Sequence, residues 1–183
     1  MRKIRLWWKF KGKYIHNDIW EGIKNLVRWF PVIWKDRDWD DHYIWAVMIK
    51  KLEFQAKYTR ERGHHLDHIR DAQRMELCVR LMKLVSEEKY LTEYQDYEHN
   101  EFLFLDSESH PGFYEMKSNQ IWETFDEYFA KYPKAYKHVM KQYGYGRDTE
   151  KYSIALRMGN YMHNKAKKLL FKIMEEYIQT WWD

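Results

Sequence analysis

Trp34, Lys35, Arg37, Trp39 and His42 fall within nine residues, between two stretches of helical periodicity. Aromatic faces stack on nucleobases for about 1 to 3 kcal/mol each, and Lys or Arg beside them pairs with phosphate oxygens. A connector of this composition can form one wall of a pocket for a flat anionic molecule. The structural alternative has Trp34 and Trp39 stapling the two flanking helices together, while Asp36, Asp38, Asp40 and Asp41 answer the positive end of the second helix. For the four acids this alternative is the better account, because a helix start is the commonest place for Asp.

A second set lies on the last helix, where Arg157, Tyr161, Asn164, Lys165 and Lys168 share one face at spacings of three and four. Arg157, Tyr161 and Lys165 are the candidate phosphate-binding wall opposite the connector; a solvated cationic face is the alternative. A third set, His64, His65 and His68 with Asp71, has the one-turn spacing that zinc accepts. It lacks a His-Glu-x-x-His order and any Cys partner, so exposed imidazoles beside Gly63 are the simpler reading, and no metal or other cofactor is expected. None of Ser86, Ser107, Ser109, Ser118 and Ser153 stands in a Gly-x-Ser-x-Gly elbow, so no catalytic residue is assigned.

The chain that must position these groups has 183 residues, with 10 Trp, 15 Tyr and 9 Phe but only 7 Gly. Average usage would supply roughly 13 Gly. Few positions can therefore take the positive φ of tight hairpins or Gly-rich phosphate loops, which leaves a mostly helical protein. The net charge of +4 is too small for sequence-blind coating of nucleic acid. Residues 1–13 carry six cations and no acid, residues 93–127 a net of −9, and residues 131–168 a net of +8. An acidic belt beside a basic half suits a compact anion better than extended nucleic acid.

The lone Cys78 sits in an apolar stripe, so no disulfide framework exists and a reducing cytoplasm is expected. The longest apolar run, Tyr43 to Ile49, is far short of the roughly 20 residues that cross a bilayer, and the N-terminus lacks a secretory core. No membrane partner is expected on these grounds.

Residues 2–15 alternate between cationic and apolar side chains, as a short extended arm would. Ile19, Ile23, Leu26, Val27 and Phe30 mark a first helix that Pro31 should end. A second helix is predicted over 38–62, stopped by Gly63, and a wide-faced central third over 67–89. Residues 92–117 lack a clean period and are read as a packed irregular segment, in which Tyr94, Tyr97 and Phe102 either close over a ligand or simply pack. Helix is predicted again over 118–132, broken at Pro133, continuing to Tyr143, with a Gly144 and Gly146 loop before a last helix over 149–182. The fold class is all-α: a single-domain bundle of five or six helices spanning 1–183, with a short extended N-terminal arm.

The run Trp29-Phe30-Pro31-Val32-Ile33-Trp34-Lys35-Asp36-Arg37-Asp38-Trp39-Asp40 resembles the signature of a family of small tailed-bacteriophage proteins. The likeness extends to Gln55 and Tyr58, Asp71-Ala72, Leu77 and Arg80, Asp126-Glu127-Tyr128-Phe129, Lys168-Leu169-Leu170-Phe171-Lys172 and Trp181-Trp182-Asp183. It implies a phage origin and the host cytoplasm, and carries no particular activity. Small helical phage proteins often act as counter-defence factors, some by sequestering the nucleotide messengers of bacterial immunity; that association is by class. The expectation is a sponge for a small nucleotide-like anion, held without turnover, with the twin Trp at the C-terminus available for a homo-oligomer interface. The alternatives are a protein-binding host inhibitor or virion component using Trp-rich surfaces, and a metal-dependent phosphodiesterase.

Overall fold

The computed structural model describes residues 14–35, 37, 39, 42–63, 66–97, 99–107, 109–121, 124–143 and 151–182. Residues 2–13 of the expected 2–15 arm, the four Asp residues of the connector, His64 and His65, and the Gly144 and Gly146 loop lie outside these residues, while Tyr14 and Ile15 open the first helix and are not extended. The chain divides into two compact units, Met1–Lys51 and Leu52–Asp183. It is predominantly helical, with seven α-helices among the described residues: α1 Ile15–Ile33, α2 His42–Arg62, α3 His68–Ser86, α4 Lys89–Thr92, α5 Phe125–Lys131, α6 Pro133–Tyr143 and α7 Lys151–Tyr177. Two 3-10 turns, Glu93–Tyr97 and Ile178–Trp182, follow α4 and α7. None of these helices is long and apolar enough to cross a membrane.

In the first unit, α1 runs two residues past Pro31, where it was expected to stop. Proline removes one backbone donor, but the Trp34 N–H still reaches the Phe30 carbonyl at 2.9 Å, so the last turn closes. No residue of α1 is buried. The first part of α2 also belongs to this unit, and the unit boundary falls within that helix.

In the second unit, Gly63 ends α2 as expected, at φ +58° with its N–H on the Thr59 carbonyl. The remainder of α2 runs back along α3, which it meets through the forked Arg60–Glu76 pair and through Lys83–Glu53. Helix α3 buries Asp71, Ala72, Met75, Cys78, Val79, Leu81, Met82 and Val85, a face wide enough for more than one neighbour, and packs on α7. It stops at Ser86, three residues early, because Glu88 turns left-handed at φ 50°. The fully buried Cys78 has its thiol pushed up to about 11 by desolvation.

The segment read as irregular is instead a β-hairpin. Strand β1, His99–Asp106, pairs antiparallel with β2, Tyr114–Ile121, in a register from His99 opposite Ile121 to Asp106 opposite Tyr114. The helix expected to begin at Ser118 begins at Phe125. The His110-Pro111-Gly112 turn was legible; Gly112 takes φ +88°, and the Ser107 N–H bonds the Phe113 carbonyl at 2.8 Å. The strands were hidden because apolar Phe102, Leu103, Phe104 and Leu105 follow one another and erase the period of two.

One core cluster gathers Tyr94, Phe125, Tyr128, Phe129, Ala135, Val139, Ile154, Ala155, Met158 and Met162 from α5, α6, α7 and the first 3-10 turn. Tyr94 is therefore core, its hydroxyl 3.2 Å from that of Tyr152, and Tyr97 lies against Tyr128; neither is a lid. Trp181 is also buried, with its carbonyl accepting from Gln55 Nε2 at 2.7 Å, which withdraws it from the expected oligomer interface. Where α7 crosses α4, Gly159 lets the backbones meet: a Cβ there would lie 2.5 Å from the Tyr90 carbonyl oxygen. Gly159→Ala should cost about 1 to 3 kcal/mol through overpacking, a fall in Tm of about 2 to 10 °C with unchanged far-UV circular dichroism at low temperature.

Candidate functional site

Helix α5 ends at Lys131, Tyr132 breaks the helical path at φ −123°, and Pro133 starts α6. Proline suits a first helical position, where its missing donor costs no intrahelical bond. The backbone donors that follow it, on Lys134 and Ala135, have no acceptor within their own helix, and the helix dipole adds partial positive charge there. Anions settle at such ends.

The lysines add to that field. A cleft of about 320 Å³ at this junction is lined by Lys131, Tyr132, Pro133, Lys134, Ala135, Tyr161, Met162 and Lys165. Tyr161 and Lys165 come from one face of α7, and the Lys165 ammonium is 5.8 Å from the Tyr161 ring centre. The His138 imidazole stacks on Tyr161 at 4.1 Å and 22°, fixing the plane of the phenol. Three Lys and no acid line the cleft.

The junction is held from beneath. Glu93 is buried, and its carboxylate accepts from the Lys131 ammonium and from the Tyr132 hydroxyl at 2.8 and 3.1 Å. Burial and the hydrogen bond to Glu93 push the Tyr132 phenol up to about 12, and the bond to Glu93 holds the Lys131 ammonium above its usual range. Lys131 is thus neutralised by Glu93, whereas Lys134 and Lys165 make no ion pair among the described residues.

Of the residues expected to act, Tyr161 and Lys165 meet in this cleft. Arg157 does not: its guanidinium sits 3.9 Å over the Tyr143 ring, one turn away along α7. Trp34, Lys35, Arg37, Trp39 and His42 belong to the first unit and are all exposed, Trp34 against Phe30 at 5.1 Å. Lys131, Tyr132, Lys134 and His138 were missed. Their signal was present, since Lys-Tyr-Pro-Lys at a helix break offers cations and an aromatic beside a fresh helix start. Asp71, once a metal candidate, is buried and bonded by Arg74 at 2.8 Å, which itself lies over Tyr177.

A larger hollow of about 430 Å³ between α2 and α3 is lined by Glu53, Ala56, Lys57, Arg60, Glu76, Val79 and Arg80. Its carboxylates face its cations, and Glu76 grips Arg60 with both oxygens, so it offers an anion much less. Comparison with family models, curated proteins and solved structures finds no match to this chain.

A folded-state pKa above the unfolded value means stability that is complete below pH 10 and is lost as pH rises from about 10 towards 12. Tyr132 and Lys131 both act in that direction. In an alkaline phenolate titration the wild type should show several late-ionising Tyr, Tyr132 and the buried Tyr128 among them, and Glu93→Gln should move part of that late amplitude toward the ordinary value near 10. Superimposable curves for the two proteins would remove Glu93 from this role.

Proposed function

We propose that the protein binds a small nucleotide-derived anion at the start of α6 and holds it without turnover. The observation that carries this reading is the acid-free cleft of Lys131, Lys134 and Lys165 with Tyr132 and Tyr161, set at a helix N-terminus. Phosphate oxygens would take the backbone donors and the Lys134 and Lys165 ammonium groups, while a base would lie along Tyr161 beside His138. At about 320 Å³ the cleft is at the small end of ligand sites, which suits one base and its phosphate, with the remainder of a larger nucleotide outside it. Holding the phosphate with side chains and a helix end requires no Gly-rich loop, in keeping with the scarcity of Gly.

The biological form suggested by the resemblance of Trp29 to Asp40 is a phage-encoded counter-defence protein that sequesters an immune signalling nucleotide in the host cytoplasm. A second reading, a protein-binding host inhibitor or virion component, draws on Trp34 and Trp39, which are 70% and 84% exposed. It calls for a stoichiometric protein partner recovered from infected cells and no nucleotide response.

Calorimetry and thermal shift with cyclic dinucleotides and ADP-ribose derivatives test the first reading. Tyr161→Ala should weaken binding by about 5- to 150-fold, the equivalent of one stacked base, with a lowered Tm from its lost packing on His138 and the core, and Lys165→Glu by tenfold or more with little change in Tm. No response to any of these ligands at millimolar concentration would overturn it.

A further inference from the structure

Lys131, Lys134 and Lys165 bring three positive charges to the α6 cleft, and among the described residues the only carboxylate paired with any of them is Glu93, buried beneath and bonded to Lys131. Three ammonium groups against one carboxylate leave a local charge of +2, carried by Lys134 and Lys165. One of these stands on α6 and the other on α7, so an anion in the cleft meets positive charge from two elements. The start of α6 adds partial charge of the same sign. Tyr132 holds the capping position there, and its hydroxyl goes to Glu93 at 2.8 Å instead of to the helix end.

A phosphate can meet this lining in two forms. As a diester it carries one negative charge and has two non-bridging oxygens; as a terminal monoester it carries close to two at neutral pH and presents three. Attraction scales with the product of the charges, so the second charge adds an interaction with each cation of the cleft without any further contact. Space favours the same form. At about 320 Å³ the cleft holds one base and its phosphate, and a diester must lead its second ester oxygen out of that space, whereas a monoester ends inside it. We infer, on the reading of this cleft as a nucleotide site, that it selects the free phosphomonoester end of a nucleotide over a phosphodiester, with Lys134 and Lys165 reading the second charge. Cyclic dinucleotides, whose phosphates are all diesters, are then the disfavoured class of ligand, and nucleotides with a terminal phosphate the favoured one.

The full-length protein is titrated by calorimetry, at pH 7.5 and at pH 5.0, with the ribonucleoside 5′-monophosphates and with their phosphate methyl esters, which keep base and sugar but hold a single charge at both pH values. At pH 7.5 the monophosphate should bind about tenfold tighter or more. The second ionisation of a phosphomonoester lies near pH 6, so at pH 5.0 most of that ligand carries one charge and its advantage should shrink by about five- to tenfold. His138, stacked on Tyr161, and the buried Glu93 meet both ligands alike, so their charge states drop out of the ratio. Lys134 and Lys165 are exposed, and Lys134→Gln or Lys165→Gln should each lower the ratio at pH 7.5 by about threefold or more while weakening the methyl ester less. A ratio near one at pH 7.5, a ratio unchanged at pH 5.0, or a ratio untouched by both substitutions would overturn the selection while leaving a nucleotide site in place. Tighter binding of cyclic dinucleotides than of monophosphates would do the same. If no nucleotide of either kind binds at millimolar concentration, the site itself is overturned and the selection with it.

Discussion

A carboxylate removed from water must be met by donors, and at Glu93 that demand organises one end of the second unit. The carboxylate lies in the 3-10 turn after α4, and its two partners are the last residue of α5 and the residue that breaks the path before α6. Meeting Glu93 therefore fixes both where α5 ends and how α6 departs. The α6 start is aimed by this contact. Lys131 and Tyr132 face the cleft on one side and Glu93 on the other, so the junction is both a structural clamp and a wall of the candidate site.

That arrangement also sets the distribution of charge. With Lys131 neutralised from below, attraction for an anion falls to Lys134, Lys165 and the helix end, which converge without a competing acid in the lining. One turn back along α7, Arg157 is spent on Tyr143, and between the start of α3 and the end of α7 Arg74 is spent on Asp71 and Tyr177. Cations in this unit are thus divided between those that tie elements together and a few left for a ligand.

The helical skeleton was legible because Leu, Ile, Met and Ala recur at 3.6 spacing in α1, α2, α3 and α7, and because Gly63 and the break at Pro133 punctuate them. The hairpin was not, since its apolar residues run consecutively and its acids suggested a solvated loop. Periodicity also cannot show which Tyr is core: Tyr94 and Tyr128 are as buried as any aliphatic, while Tyr161, on the same long helix as Met158 and Met162, reaches the surface. The site was half legible. Tyr161 and Lys165 follow from one helical face, but their neighbours Lys131, Tyr132 and Lys134 arrive from a junction some thirty residues away, and only the fold brings them together. The connector residues from Trp34 to His42, expected as the opposite wall, belong to the other unit.

The single thiol has a use that its chemistry in the folded state conceals. Cys78 is fully buried midway along α3, and desolvation keeps it protonated far above neutral pH, so thiol reagents find neither access nor thiolate while the core is closed. Reaction then waits for the helix to come away from its neighbours. Alkylation of this one atom becomes an intrinsic clock for opening of the second unit, against which the grip of any bound molecule can be timed without adding a label.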